Sequence, residues 1–190
     1  MAQAKSLTPA ELDKVLTYIA EHTNAQRNRA MLLLTVLAGL RVSEVAGLTI
    51  ADVRNADGTI KGEIYLSAER VKHKHARTVF INQRLQNELR EYITSKTWLD
   101  NEQALFTTHR GPRKSFTSNT LTQHFHYLYR RAGVYGASSH SGRRTFITSL
   151  ATQGISVRVL ASLAGHKSLN TTMRYIDVND DMKRRAVELV

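Results

Sequence analysis

The stretch DGTIKGEIYLSAERVKHKHARTVFI, residues 57–81, decides how this chain is read. Asp57-Gly58 is a hairpin signal, because glycine supplies the backbone conformation that a tight reversal needs. Ile60, Ile64 and Leu66 lie on one side of that turn. Thr78-Val79-Phe80-Ile81, rich in β-formers, lies beyond a basic turn that runs from Arg70 to Arg77. The expectation is three short antiparallel strands. Outside this stretch the apolar period is helical. Thr8-Pro9-Ala10-Glu11 reads as a capping box with proline at the first helical position. Leu12, Val15, Leu16 and Ile19 follow at helical spacing. A second helix covers about 26–37 and ends at Gly39. A short third one starts near Ser43, with Val45, Ala46 and Leu48 inward. Further helices are expected over 83–96, 119–132, 140–153, 156–163 and 180–190. No internal repeat, low-complexity segment or linker interrupts the chain. The fold class is therefore mainly α with a small three-stranded antiparallel β-sheet, in one domain over residues 1–190.

Charge narrows the partner. The 190 residues hold 27 Lys and Arg against 16 Asp and Glu, a formal net charge of +11. That balance favours a polyanion, with nucleic acid ahead of an anionic membrane surface. Aromatic residues are sparse and form no stacking run, so phosphate contact on a duplex is expected over base stacking. With no cysteine, disulfides and thiolate metal sites are excluded. The longest apolar stretch, Ala30 to Leu40, is broken by Thr35 and Gly39 and falls short of the roughly 18 residues a membrane span needs. Polar Gln3, Lys5, Ser6 and Thr8 at the start do not resemble a signal peptide. A cytoplasmic protein is expected.

Four places carry unusual chemistry, and each has an ordinary reading. Ala38-Gly39-Leu40-Arg41-Val42-Ser43-Glu44 puts an arginine at a helix junction. Most such arginines are simply solvated. Held by packed flanks, however, the planar guanidinium suits phosphate oxygens, and Glu44 can orient it or cap the helix. Lys72-His73-Lys74-His75-Ala76-Arg77 is a basic turn, ordinarily a solvated tip, that could place a lysine beside a phosphate. His140-Ser141-Gly142-Arg143-Arg144 opens an apolar helix, with His and Arg three apart on one face at an end that favours anions. The ordinary reading is a capping histidine with exposed arginines. Last come Gly165-His166-Lys167-Ser168 and Thr171-Thr172-Met173-Arg174-Tyr175. Alone, these read as a loop histidine after a capping glycine and a partly buried tyrosine.

In the order R…K…HxxR…GH…Y the four places together are specific. The chain resembles the tyrosine recombinase family of phage integrases and Xer-type resolvases over roughly residues 8–178. The most telling segments are Gly39-Leu40-Arg41-Val42-Ser43-Glu44-Val45-Ala46-Gly47-Leu48, His140-Ser141-Gly142-Arg143 and Leu163-Ala164-Gly165-His166-Lys167-Ser168. Tyr175 falls nine residues after His166, as the family pattern requires. The resemblance implies that Arg41, Arg143, His140 and His166 are catalytic, His166 at a position some relatives fill with tryptophan, and that Tyr175 is the nucleophile. The basic turn offers both Lys72 and Lys74 as the catalytic lysine, and counting back five from Arg77 favours Lys72 in the family register. Two residues depart from the pattern. Phe80 stands where proline is frequent. Gly142 stands where leucine is common, and is expected to loosen the helix start.

The implied reaction is a two-step transesterification. Tyr175 attacks a DNA phosphate to give a 3′-phosphotyrosyl bond and a free 5′-hydroxyl, and a partner strand's 5′-hydroxyl reverses it. The phosphotyrosine conserves the bond energy, so no ATP is expected. Arg41 and Arg143 would stabilise the charge of the phosphorane-like transition state. His140 would accept the proton of a tyrosine that nearby cations help to ionise. His166 would hydrogen-bond the phosphate, and Lys72 would protonate the leaving oxygen. Two arginines and a lysine stand in for a metal ion, and no clustered carboxylates offer a metal site, so neither metal nor cofactor is expected. Further DNA contacts are expected from Lys74, Arg77, Arg113, Lys114, Arg144 and Lys167. The resemblance also implies double-stranded DNA as partner, a homo-tetramer on DNA and a role for an accessory DNA-bending protein. It implies docking of residues 178–190 on a neighbouring protomer, the absence here of the family's N-terminal core-binding domain, and a bacterial or phage mobile element as origin. Two rivals remain at this point: a helix-turn-helix regulator built on residues 140–163, and a type IB topoisomerase-like nicking and religating enzyme.

Overall fold

The computed structural model describes residues 4–70, 76–96, 100–108, 114–176, 178, 180–188 and 190. The chain begins with α1 (Pro9–Ala20), which carries the expected capping box: Glu11 N–H donates to Thr8 Oγ1 and Thr8 N–H to Glu11 Oε2. Next is α2 (Ala25–Leu37), whose Met31, Leu32, Leu33 and Leu34 are all fully buried. Residues 30–36 of this helix are buried on every side, and such a stretch belongs at the centre of a domain. Accordingly α1, α5 (Gln83–Thr94) and α7 (Ser141–Thr152) pack around it. Burying one leucine side chain stabilises by roughly 1.5–3 kcal/mol, so this helix anchors the core. A bidentate ion pair from Arg29 to Glu88, both contacts 2.6 Å, ties α2 to α5.

Gly39, at φ +65°, turns the chain out of α2 into the short α3 (Val42–Ala46), which packs on α6 (Ser118–Arg131). α4 (Ile50–Val53), capped by Thr49 and Asp52, was not anticipated from the sequence. It explains a correction: the described residues form two strands, not three. β1 (Glu63–Leu66) and β2 (Arg77–Phe80) pair antiparallel, with Ile64 opposite Val79. The Asp57-Gly58 turn exists and Gly58 has φ +88°, but its two arms meet in a single bridge, Arg54 to Ile60. Because α4 runs to Val53, too little extended chain precedes the turn to make a strand. Ile64, Leu66 and Val79 face the core, while Tyr65 and Phe80 point outward.

The chain then continues through α8 (Val157–Ala164), α9 (Leu169–Met173) and α10 (Asp180–Val187). No residue of α10 is buried, and Arg185 Nη2 donates to the carbonyl of Thr152 at the end of α7, 2.8 Å away. Among the described residues no helix is long and apolar enough to cross a membrane.

Candidate active site

Arg41 is the N-cap of α3, in an extended conformation that turns its side chain back over the helix start. Its backbone N–H donates to Glu44 Oε2 (2.7 Å), its Nη1 to Glu44 Oε1 (2.8 Å) and its Nη2 to the carbonyl of Gly165 (3.2 Å). Glu44 thus caps the helix and orients the arginine at once. The same carboxylate accepts Arg77 Nη2 at 2.8 Å, and Arg77 Nη1 donates to the carbonyl of Leu163 at 2.7 Å. Burial alone would raise the Glu44 pKa. Arg77, the Arg41 N–H and the Arg41 guanidinium outweigh it and hold the carboxyl below its ordinary value.

Arg143, one turn into α7, is 5% exposed. Its Nη1 donates to the carbonyl of Gly39 at 2.5 Å and its Nη2 to the carbonyl of Ala164. Those carbonyls belong to the turns around Gly39 and Gly165, whose φ of +65° and +61° a side chain rarely adopts. Burial, then Arg41 and Arg77, push the Arg143 pKa down to about 9, so it remains a cation at neutral pH. Three guanidiniums therefore surround one carboxylate, and the centre carries an excess of positive charge.

Gly165 ends α8 in the left-handed conformation and delivers His166 to this centre. The His166 ring is half-buried, with Nδ1 2.9 Å from Thr172 Oγ1. It stacks on Tyr175, centroids 5.6 Å apart and planes at 22°. Burial first, then Arg143, Arg41 and Arg77, lower its pKa to about 4, so the imidazole is neutral at pH 7. Tyr175 is partly buried, its N–H donates to the carbonyl of Thr172 (2.9 Å), and the Arg144 guanidinium carbon lies 5.2 Å from its ring centroid. A cleft of about 770 Å³ opens beside His166, between β2 and α8, and is lined by Thr78, Phe80, Ala161, Ser162 and Lys167 among others.

Arg41, Arg143, His166 and Tyr175, more than 130 residues apart along the chain at the extremes, thus lie around one centre. His140 is exposed at the N-cap of α7, with Nδ1 3.3 Å from Ser139 Oγ. Lys72, Lys74 and Arg113 lie outside the described residues. Lys114 and Lys167 are exposed. Arg77 needs correcting as an expected DNA contact. Its side chain is 8% exposed and its guanidinium binds Glu44 and the Leu163 carbonyl inside the protein. Gly142 is also corrected: it does not loosen α7 but is buried where that helix meets α2, and a Cβ there would lie 2.0 Å from Thr35 Oγ1. The sequence reading missed Thr172 and the internal role of Arg77. A basic residue opening a strand carries no mark of burial, and Thr172 stood in a run read for its tyrosine alone.

The model of the phage integrase family matches residues 5–182. The tyrosine recombinase XerA of Pyrococcus furiosus is 32% identical over 97% of the chain and 61% of its own length. The tyrosine recombinase XerC of Pelobacter propionicus is 31% identical over 85% of the chain and 51% of its own. The chain thus spans about three fifths or less of these relatives. Among solved structures, the Tn1549 transposon integrase in complex with a circular intermediate DNA matches with a TM-score of 0.81 at 20% identity, covering 100% of this chain and 67% of that one. The XerA recombinase matches with a TM-score of 0.76 at 24% identity, covering 99% and 66%.

Proposed function

The chain belongs to the phage integrase family, the tyrosine recombinases, and from that premise we propose that it is the catalytic domain of a site-specific DNA recombinase. The observation that carries this reading is the buried cationic centre of Arg41 and Arg143 beside His166 and Tyr175. A guanidinium has five N–H groups. The two side-chain bonds from Arg41 and the two from Arg143 leave up to three on each for an incoming phosphate. Because both forks are already held by protein carbonyls and Glu44, they need not reorganise when charge develops. Donors held in this way are worth ~10²–10³ in rate each.

In this reading Tyr175 Oη attacks the phosphorus of a DNA backbone phosphate, the bond to the 5′-oxygen breaks, and a 3′-phosphotyrosyl ester remains. The tyrosine proton passes to His140 or to water. A neutral His166 donates a hydrogen bond to a phosphate oxygen, and Lys72 (with Lys74 as the alternative) protonates the departing 5′-oxygen. A 5′-hydroxyl from a partner strand then displaces the tyrosine. Lys114, Lys167 and Arg144 contribute phosphate contacts. Double-stranded DNA is the substrate, acted on in the cytoplasm by a tetramer in which residues 178–190 dock on a neighbour. A helix-turn-helix regulator is disfavoured because α7 turns Arg143 into the domain interior instead of presenting it to a groove.

The test is covalent trapping on nicked duplexes from the native element, with Tyr175→Phe alongside and binding measured in both. The expected result is a denaturant-resistant, protease-sensitive adduct that the variant lacks. Binding without any adduct on a fragment containing the true site overturns the proposal.

A further inference from the structure

We infer that Thr172 is a positioning residue that fixes the tautomer of His166, leaving Nε2–H to point outward as a donor, and that sets the register between that histidine and Tyr175. This rests on the function proposed above, in which His166 meets a phosphate oxygen, an acceptor.

Thr172 is fully buried on α9 and holds both partners. Its Oγ1 is 2.9 Å from His166 Nδ1, and its carbonyl accepts the Tyr175 N–H at 2.9 Å. A neutral imidazole has one nitrogen that donates and one that accepts, so the bond at Nδ1 decides what Nε2 can do. The distance alone allows either direction. Three other buried or half-buried helical threonines point to which applies. Thr35 donates to the Leu32 carbonyl, Thr145 to that of Ser141, and Thr148 to that of Arg144. Each hydroxyl proton there has a backbone acceptor one turn back. Among the described residues, Thr172 Oγ1 has no such carbonyl, and its partner is His166 Nδ1. A buried hydroxyl whose proton goes unbonded is costly. The proton therefore goes to the Nδ1 lone pair, and the ring hydrogen sits on Nε2. The electrostatics agree, since three nearby guanidiniums disfavour a doubly protonated ring.

The experiment is long-range ¹H–¹⁵N NMR of ¹⁵N-histidine-labelled protein at pH 7, with His166 assigned from the signals lost in His166→Gln. The expected wild-type pattern is a protonated Nε2 and an unprotonated Nδ1. Thr172→Val, which keeps the shape but not the hydroxyl, is expected to give a mixture of tautomers. Thr172→Ser is expected to keep the wild-type pattern. In the trapping assay, adduct formation should fall about tenfold in Thr172→Val, roughly the loss of one hydrogen bond, and recover in Thr172→Ser. An Nδ1–H tautomer in the wild type, or an unchanged tautomer in folded Thr172→Val, overturns the inference. The wild-type spectrum needs no DNA, and its one variant, His166→Gln, serves only for assignment. A wrong tautomer in a protein that still forms adducts sinks this inference alone, whereas a correct tautomer without adducts sinks the recombinase reading alone.

Discussion

Replacing Gly142 by alanine sets two effects of known size against each other. In a helix, glycine to alanine by itself stabilises by up to about 1 kcal/mol. Here the added Cβ would lie 2.0 Å from Thr35 Oγ1, 2.8 Å from Thr35 Cβ and 3.3 Å from Val36 Cγ2. Rotating the hydroxyl would relieve only the first contact. The Thr35 Cβ moves only with the backbone of α2, and Thr35 is 1% exposed and bonded to the Leu32 carbonyl at 2.7 Å. The two helices must therefore part, and overpacking of this kind costs about 1–3 kcal/mol. Subtracting the full propensity gain leaves a net loss of up to about 2 kcal/mol. At roughly 2–4 °C per kcal/mol for a domain of this size, Tm should fall by up to about 8 °C. Calorimetry and urea unfolding measure this directly. Gly142→Leu, which installs the residue common at this position in the family, should cost more. Thr35→Ala as background should recover part of the loss, because the two sites are in contact. Folded Gly142→Ala should also cleave more slowly, since moving α7 moves Arg143 off the Gly39 carbonyl. A Tm for Gly142→Ala above that of the parent would refute the close-packing argument.

Glu44→Gln should destabilise by about 3–5 kcal/mol in urea unfolding, because it leaves the Arg77 guanidinium, on a side chain 8% exposed, without its counter-ion; a loss below 1 kcal/mol would mean the pair is not buried as described. Gly165→Ala should cost about 2 kcal/mol and most of the cleavage activity, since its φ is +61° and a Cβ would lie 2.5 Å from Arg77 Cδ. The histidine contribution to stability should also be lost as pH drops from about 6.5 to about 4 and be constant below that. His166 and His124 are both held down to about 4, chiefly by burial, so in that window the unfolded chain binds the protons first. The slope stays below about 1.4 kcal/mol per pH unit per histidine, because solvent reaches part of both rings. Removing either ring with glutamine should flatten the Tm-against-pH curve, and an unaltered curve in both variants would contradict the assigned burial.

Long, strongly patterned elements were legible in the sequence because burial leaves a periodic mark. α1 with its capping box, the apolar α2, and the helices from α5 to α8 all announce themselves this way. α4 and α9 have four and five residues, less than two turns, and so carry no period to read. The third strand was expected from a genuine turn at Asp57-Gly58, but a turn signal says nothing about how much extended chain flanks it. In the site, Arg41, Arg143, His166 and Tyr175 stood out by their order and spacing. What the sequence hid was the set of partners. Whether Arg77 faces solvent or Glu44 is decided by the packing of β2 against α8. Whether Gly142 loosens a helix or seats it depends on Thr35, more than a hundred positions earlier.

The bonds that build the centre also govern when it comes into being during folding. Arg41 reaches Gly165 across a sequence separation of 124, Arg143 reaches Gly39 across 104, and Arg77 reaches Leu163 across 86. Loops of that length close late, after local helices have formed, because their entropy must be overcome before the contacts reward it. The centre therefore has no partial form. A nascent chain, or one with α7 and α8 undocked, has a tyrosine and scattered arginines but no anion site. Hydrogen exchange at the Gly39 and Gly165 turns should accordingly track global unfolding. An anion site assembled in this way is withheld from every incomplete state of the chain.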